Sequence, residues 1–104
     1  MSSNLPGEVI VFILNVDLDV KPGSEKSLEN VFKAVFVPAI SRQDGFSSTQ
    51  LLRPRDSGAA YRLVIQFQSQ ELQQKWVAQP LHQEVWPQME VNFSKCSVHN
   101  YDSM

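Results

Sequence analysis

The stretch VIVFILNVDLDV, residues 9–20, is apolar at every even position (Ile10, Phe12, Leu14, Val16, Leu18, Val20), whereas its odd positions change from Val9, Val11 and Ile13 to Asn15, Asp17 and Asp19. Strict alternation puts successive side chains on opposite faces, so the segment reads as a β-strand with its even face in a core. The odd face is apolar over its first half only. A one-layer sheet facing water has no need of that, so something else must cover this face.

Outward from this strand, Lys21-Pro22-Gly23 marks its end, and Ser24 is placed to cap a helix with Glu25 in the first turn against the dipole. Leu28, Phe32, Val35, Phe36 and Ala39 form the apolar stripe of an amphipathic helix lying on a sheet. Pro38 interrupts it and predicts a kink or a broken last turn, with Ile40 to Arg42 only weakly helical. Gln43-Asp44-Gly45 closes the element. Phe46 to Arg53 reads as a strand near a sheet edge, Pro54 to Ala60 as a turn, and Tyr61 to Gln68 as a cleanly alternating strand, so the two strands form a hairpin.

Residues 69–90, SQELQQKWVAQPLHQEVWPQME, carry both tryptophans and one of the two histidines. Ser69 caps a helix, Pro80 divides it into two short pieces, and Pro87 lies near its end. Leu72 and Trp76 share one face, and His82, Val85, Trp86 and Met89 form a second stripe. Val91 to Tyr101 is a weakly patterned closing strand. Residues 1–7 and 102–104 are expected to be flexible.

The element order βαββαβ predicts an α+β, ferredoxin-like domain over residues 1–104, with its core over about 9–101. Its four-stranded antiparallel sheet carries both helices on one face. The other face mixes Val11, Ile13, Asn15 and Val64 with Arg62, Gln66 and Gln68, too apolar to be wholly wet and too polar for a core. A second copy of the chain resolves the conflict, so a homodimer is expected.

The 104 residues are 42% hydrophobic, enough for one core without metal or disulfide staples. A net charge of −2 with scattered Lys and Arg gives no footprint for nucleic acid or an anionic membrane. The single cysteine, Cys96, rules out an intrachain disulfide and fits a reducing cytoplasm. The N-terminus has no signal-peptide pattern, and Asn15, Asp17 and Asp19 interrupt the first apolar run before it can span a bilayer. His82 and His99 with Glu84 or Glu90 have no metal-ligand spacing, so no metal is expected.

Several features in order resemble the antibiotic biosynthesis monooxygenase (ABM) domain of the dimeric α/β-barrel superfamily. They are Val20-Lys21-Pro22-Gly23 after the first strand, Pro38-Ala39-Ile40 before Asp44-Gly45-Phe46, the strand Tyr61-Arg62-Leu63-Val64-Ile65, and Trp76 followed by Gln79-Pro80-Leu81-His82. The resemblance covers about Val9 to Tyr101. It implies a homodimer whose sheets pack into a barrel, with a ligand cavity between each sheet and its own helices. It also implies a cofactor-free oxidation of electron-rich polycyclic phenols to quinones by dioxygen.

A related branch binds and degrades haem, with an Asn on the first strand, a Trp in the second helix and a His ten positions later. Asn15 and Trp76 match, but position ten is Trp86, and an indole has no lone pair for iron.

Cofactor-free oxygenation needs an apolar cavity, a proton acceptor and donors for the developing anion. His82 is the candidate base, with Trp76 and Asn15 beside it as catalytic candidates. Trp86, Tyr61, Arg62 and Phe32 are the candidates for substrate binding. Parity sets Tyr61 on the helix side and Asn15 and Arg62 on the opposite face. Trp76 and His82 are expected to border the cavity, with Trp86 mainly in the core and His82 contributing little to stability.

Three readings stay open: a monooxygenase acting on a small aromatic or quinol-like molecule, a non-catalytic homodimer that binds a small hydrophobic ligand or is structural, and a haem-degrading enzyme, which the missing histidine disfavours.

Overall fold

The computed structural model describes residues 11–104. The expected flexible segment 1–7 and the first two strand residues, Val9 and Ile10, lie outside the described residues. Strand β1 (Val11–Val20) is followed by α1 (Glu25–Val31), a π-helical turn (Phe32–Phe36) and α2 (Val37–Ile40). Then come β2 (Phe46–Leu52), β3 (Tyr61–Phe67), α3 (Gln70–Val77), α4 (Pro80–Glu90) and β4 (Phe93–Ser103). The strands form one antiparallel sheet in the order β2-β3-β1-β4, so the Ser-rich strand β2 lies at an edge, as its poor alternation predicts.

Alternation is realised residue by residue. Phe12, Val16 and Leu18 of β1 and Tyr61, Leu63, Ile65 and Phe67 of β3 are buried, and all but Phe12 join one cluster with Leu28, Phe36, Ile40, Trp76, Val85 and Met89 from the helices. On the opposite face Asn15 stands across from Val64 on one side and His99 on the other, and Asp17 faces Arg62. The Arg62 Nε donates to Asp17 Oδ1 at 2.8 Å.

The first helix departs from expectation at Pro38. The run does not break there; it widens one turn earlier, where the Val37 N–H reaches back five residues to the Phe32 carbonyl. Proline has no N–H to give and its ring crowds the carbonyl four residues back, and a π-helical turn absorbs both problems upstream. The helix then continues to Ile40, which is fully buried rather than weakly held. Ser41 Oγ and Gln43 Nε2 cap its last turn by donating to the Val37 and Ala39 carbonyls.

Ser24 occupies the N-cap of α1 without a side-chain cap hydrogen bond, whereas the Ser69 hydroxyl accepts from the Leu72 N–H at 3.2 Å. Gly45, at φ +79°, starts β2 directly beneath Leu72, and a Cβ there would collide with the Leu72 side chain. Asp102 and Ser103, expected in a frayed tail, are paired in β4 with Phe12 and Val11. Among the described residues no helix is long and apolar enough to cross a membrane.

Candidate functional site

The site is made by the junction of α3 and α4. Gln79 precedes a proline and is therefore held extended, at ψ 148°, and Pro80 opens α4 where its missing N–H costs nothing. The side chain of Gln83 donates to the Val77 carbonyl at 3.0 Å and ties the first turn of α4 to the end of α3. His82 thereby comes back against Trp76.

The imidazole meets the Trp76 indole edge-on, with centroids 5.0 Å apart and planes at 83°. Trp86, one turn further along α4, stacks on the other side of the imidazole at 6.0 Å and 15°. Phe36, delivered by the π-helical turn, and Phe93 of β4 pack on Trp86 at 6.2 and 5.9 Å.

These rings border a cavity of about 140 Å³ whose sheet-side wall is Leu14, Val16 and Ile65. Among the described residues, Gln73 and His82 are its only polar side chains besides the tryptophan N–H groups, and none that lines it is charged. Val77 and Val98, both substantially exposed, stand at its border. Trp76 is 2% exposed and touches the cavity, whereas Trp86, expected mainly in the core, is only partly buried and touches the cavity too.

His82 is half-buried rather than water-facing, and its Nδ1 is buried with no hydrogen-bond partner among the described residues. Burial lowers its pKa below the ordinary 6.5, with the Glu90 charge opposing. At neutral pH the ring is therefore uncharged, the form that can accept a proton.

The other candidates lie elsewhere. Tyr61 and Phe32 border a separate cavity of about 270 Å³ with Glu29, Lys33, Leu51 and Arg53. There the Tyr61 hydroxyl donates to Glu29 Oε2 at 2.7 Å, and the Arg53 Nε donates to the same oxygen at 2.8 Å. These bonds, Arg53's first, hold the Glu29 carboxyl down at about 2, while burial and the adjacent carboxylate push the Tyr61 phenol up.

Asn15 and Arg62 stand on the opposite sheet face, where the Asn15 Oδ1 is buried with no partner among the described residues. Arg62 is held by Asp17. A larger hollow of about 610 Å³ lies at the β2–β3 hairpin among Asp19, Arg55 and Asp56, away from the aromatic cluster and open to solvent. Among the described residues no group of three His, Cys, Asp or Glu side chains converges.

Sequence reasoning missed Gln73, Phe36 and Val98 as cavity residues. Gln73 carried a signal, since it lies three positions before Trp76 and so on the same helical side. Phe36 reads as plain core, and Val98 sits in the weakly patterned strand.

No curated protein matches the chain in sequence. By fold it is similar to a Bordetella bronchiseptica protein named as a candidate antibiotic biosynthesis monooxygenase (TM-score 0.80, 19% identity, covering 93% of this chain and 99% of that one). It is also similar to SnoaB, a cofactor-independent oxygenase from Streptomyces nogalater (TM-score 0.71, 20% identity, covering 91% and 92%). A haem-degrading protein from Mycobacterium tuberculosis superposes as well (TM-score 0.70, 22% identity, covering 91% and 92%). At these identities the likeness speaks for the fold. The family model of antibiotic biosynthesis monooxygenase matches residues 11–86, spanning β1 through the Trp76–His82–Trp86 cluster, and the chain belongs to that family.

Proposed function

We propose that the chain is a cofactor-independent monooxygenase that oxidises a small aromatic, quinol-like substrate with dioxygen and works as a cytoplasmic homodimer. The observation that carries this reading is a neutral imidazole set between two indoles at an apolar cavity. His82 takes the phenolic proton, and the Gln73 amide donates to the oxygen on which charge develops. The resulting electron-rich ring reduces dioxygen directly.

The stoichiometry closes without an external reductant. The substrate gives up its hydroxyl proton and a ring hydrogen, one oxygen atom becomes a new carbonyl, and the other leaves as water. Four electrons pass from the ring to dioxygen. The similar fold of SnoaB, a cofactor-independent oxygenase, supports this chemistry.

The half-apolar sheet face supports the homodimer. Leu52 and Tyr101 are about half exposed, and the Asn15 Oδ1 is buried without a partner. Haem fits these residues poorly. Trp86 stands where the haem-degrading pattern has its histidine, and a cavity of about 140 Å³ is below the ~300–1,000 Å³ usual for drug-sized ligands.

The test is dioxygen uptake by purified protein with a panel of electron-rich phenols running from hydroquinones to anthrones. Uptake above the protein-free rate, lost in His82→Gln, is the expected result. Uptake at the protein-free rate across the panel would overturn the reading in favour of a non-catalytic ligand-binding homodimer.

A further inference from the structure

The walls of the cavity restrict what can enter it more narrowly than the proposed chemistry does. An apolar cavity of ~150 Å³ in a protein core accepts one benzene ring. The space between the sheet and the α3–α4 junction is of the same size, about 140 Å³. Its enlargement is resisted on several sides: Trp76 is buried against the core, Phe36 is 1% exposed, and Ile65 belongs to a central strand. The cavity opens to solvent beside the exposed Val77 and Val98, so a system of three fused rings can seat one ring there only with the rest left outside, unless one of these side chains is displaced.

Charge is restricted as strongly as size. Among the described residues no Lys, Arg, Asp or Glu lines the cavity, and Gln73 and His82, the polar side chains that do, are neutral. Taking an ionised carboxylate out of water without a partner is costly, and a neutral amide and imidazole cannot compensate it. A single hydroxyl group is a different matter. The amide of Gln73 offers both donors and an acceptor, and the imidazole offers one of each, so a phenol leaves water with its hydrogen bonds replaced.

We infer that this cavity selects a neutral, single-ring phenol, and that Gln73 is the residue that distinguishes its hydroxyl from a hydrogen or methyl group. This deepens the oxygenase reading and rests on it for its biological meaning, although the recognition itself is a matter of binding. Gln73 acts here as a specificity residue. Being only partly buried on the outer part of α3, it can be replaced without emptying the core. Site size and hydroxyl recognition also separate cleanly, because the first depends on Trp76, Phe36 and Ile65 and the second on Gln73.

The experiment is calorimetric titration under argon, where no oxidation occurs, with 4-methylphenol, toluene, 4-hydroxybenzoate and a hydroxyanthracene. The expected result is that 4-methylphenol binds at least tenfold tighter than toluene, 4-hydroxybenzoate and the hydroxyanthracene. In Gln73→Leu the preference for 4-methylphenol over toluene should fall about tenfold, with toluene affinity and melting temperature unchanged.

Tight binding of the hydroxyanthracene or of 4-hydroxybenzoate would overturn the selection by size or by charge. An unchanged preference in Gln73→Leu would overturn the role of Gln73. If 4-methylphenol binds as expected while no phenol of any size drives dioxygen uptake in air, the oxygenase reading fails and the selectivity stands.

Discussion

Tyr61 and His82 each place a titratable ring beneath the helices of the same sheet, yet their surroundings are opposite. The Tyr61 hydroxyl is fully engaged, donating to a Glu29 carboxylate that Arg53 also clamps. His82 has an Nδ1 without a partner, two indoles against its ring, and an open space beside it. A buried polar group without a partner costs about 1–3 kcal/mol, which a structural residue has no reason to carry. The Tyr61 cluster is therefore complete in itself, as a clasp between α1 and the β2–β3 hairpin should be, whereas the His82 cluster is arranged for a molecule that arrives later.

The largest effect expected along this contrast comes from Trp76, which supports the His82 cluster from below. Its ring is 2% exposed, and truncating a buried Trp leaves a cavity as well as a lost transfer term, so Trp76→Ala should destabilise by about 3–5 kcal/mol. Chemical denaturation measures this directly. A loss below about 1 kcal/mol would mean that the cluster is loosely packed and that its cavity is not a defined site.

Next comes His82. His82→Gln should lower phenol oxidation by about 10²-fold or more, the scale of a lost general base. Tyr61→Phe, which touches only the completed cluster, should leave turnover nearly unchanged. Equal losses in the two variants, measured as initial rates of dioxygen uptake, would erase the distinction. His82 packs edge-on and face-on against indoles, so its replacement will also cost some stability, contrary to a water-facing residue, and the rates must be taken below the variant's melting transition.

How far this contrast is legible in the chain depends on the range of the signal. Parity alone separates Tyr61 from Asn15 and Arg62, because alternation along β1 and β3 fixes the face of every residue once one face is known to be core. The stacking of His82 on Trp86 is also readable, since four positions along a helix bring side chains together. The meeting of His82 with Trp76 is not. It depends on the angle between α3 and α4, which Pro80 permits but does not specify and which the Gln83–Val77 bond and the packing on the sheet then set.

The pairing of Glu29 with Arg53 and Tyr61 is invisible in the sequence for a similar reason. Its three members come from separate elements, and nothing local marks Glu29 as different from the exposed Glu25 one turn earlier. Pro38 is a local signal whose consequence is displaced: the missing N–H is evident from the residue itself, but an upstream π-helical turn takes it up.

A smaller effect tests the completed cluster. Glu29→Ala leaves the buried Tyr61 hydroxyl without its acceptor, so the loss should be about 1–3 kcal/mol, and adding Tyr61→Phe should recover part of it by removing the orphaned donor. Arg53 is 69% exposed, so its own share is mostly screened by solvent and is the smaller one. If the double variant is less stable than Glu29→Ala alone, the Tyr61 hydroxyl has another partner and the clasp is not a closed unit.

The finest expected difference is in where each cluster responds to acid. Hydrogen bonds from Arg53 and then Tyr61 hold the folded Glu29 carboxyl at about 2, against an ordinary 4.5. A depressed carboxyl stabilises the fold fully above its unfolded pKa, and this contribution is lost as the pH falls from about 4.5 towards 2. His82 is also depressed, by burial, from an ordinary 6.5. Above that value the ring is neutral in both folded and unfolded chains and contributes no pH dependence; below it the unfolded chain takes up the proton first, and stability declines until the folded ring is protonated too. The sign is the same for both groups, but the windows differ. Glu90 is the charge that opposes the His82 shift, so neutralising it should lower the folded pKa and extend the His82 window at its lower end. Melting temperatures of the unmodified chain, His82→Gln and Glu29→Gln across this range should show the first variant losing the slope just below pH 6.5 and the other losing the slope below pH 4.5. A slope just below 6.5 that persists undiminished in His82→Gln would mean that His82 contributes none of it and that its ring is not desolvated in the folded chain, and with that its fitness as a desolvated base would go.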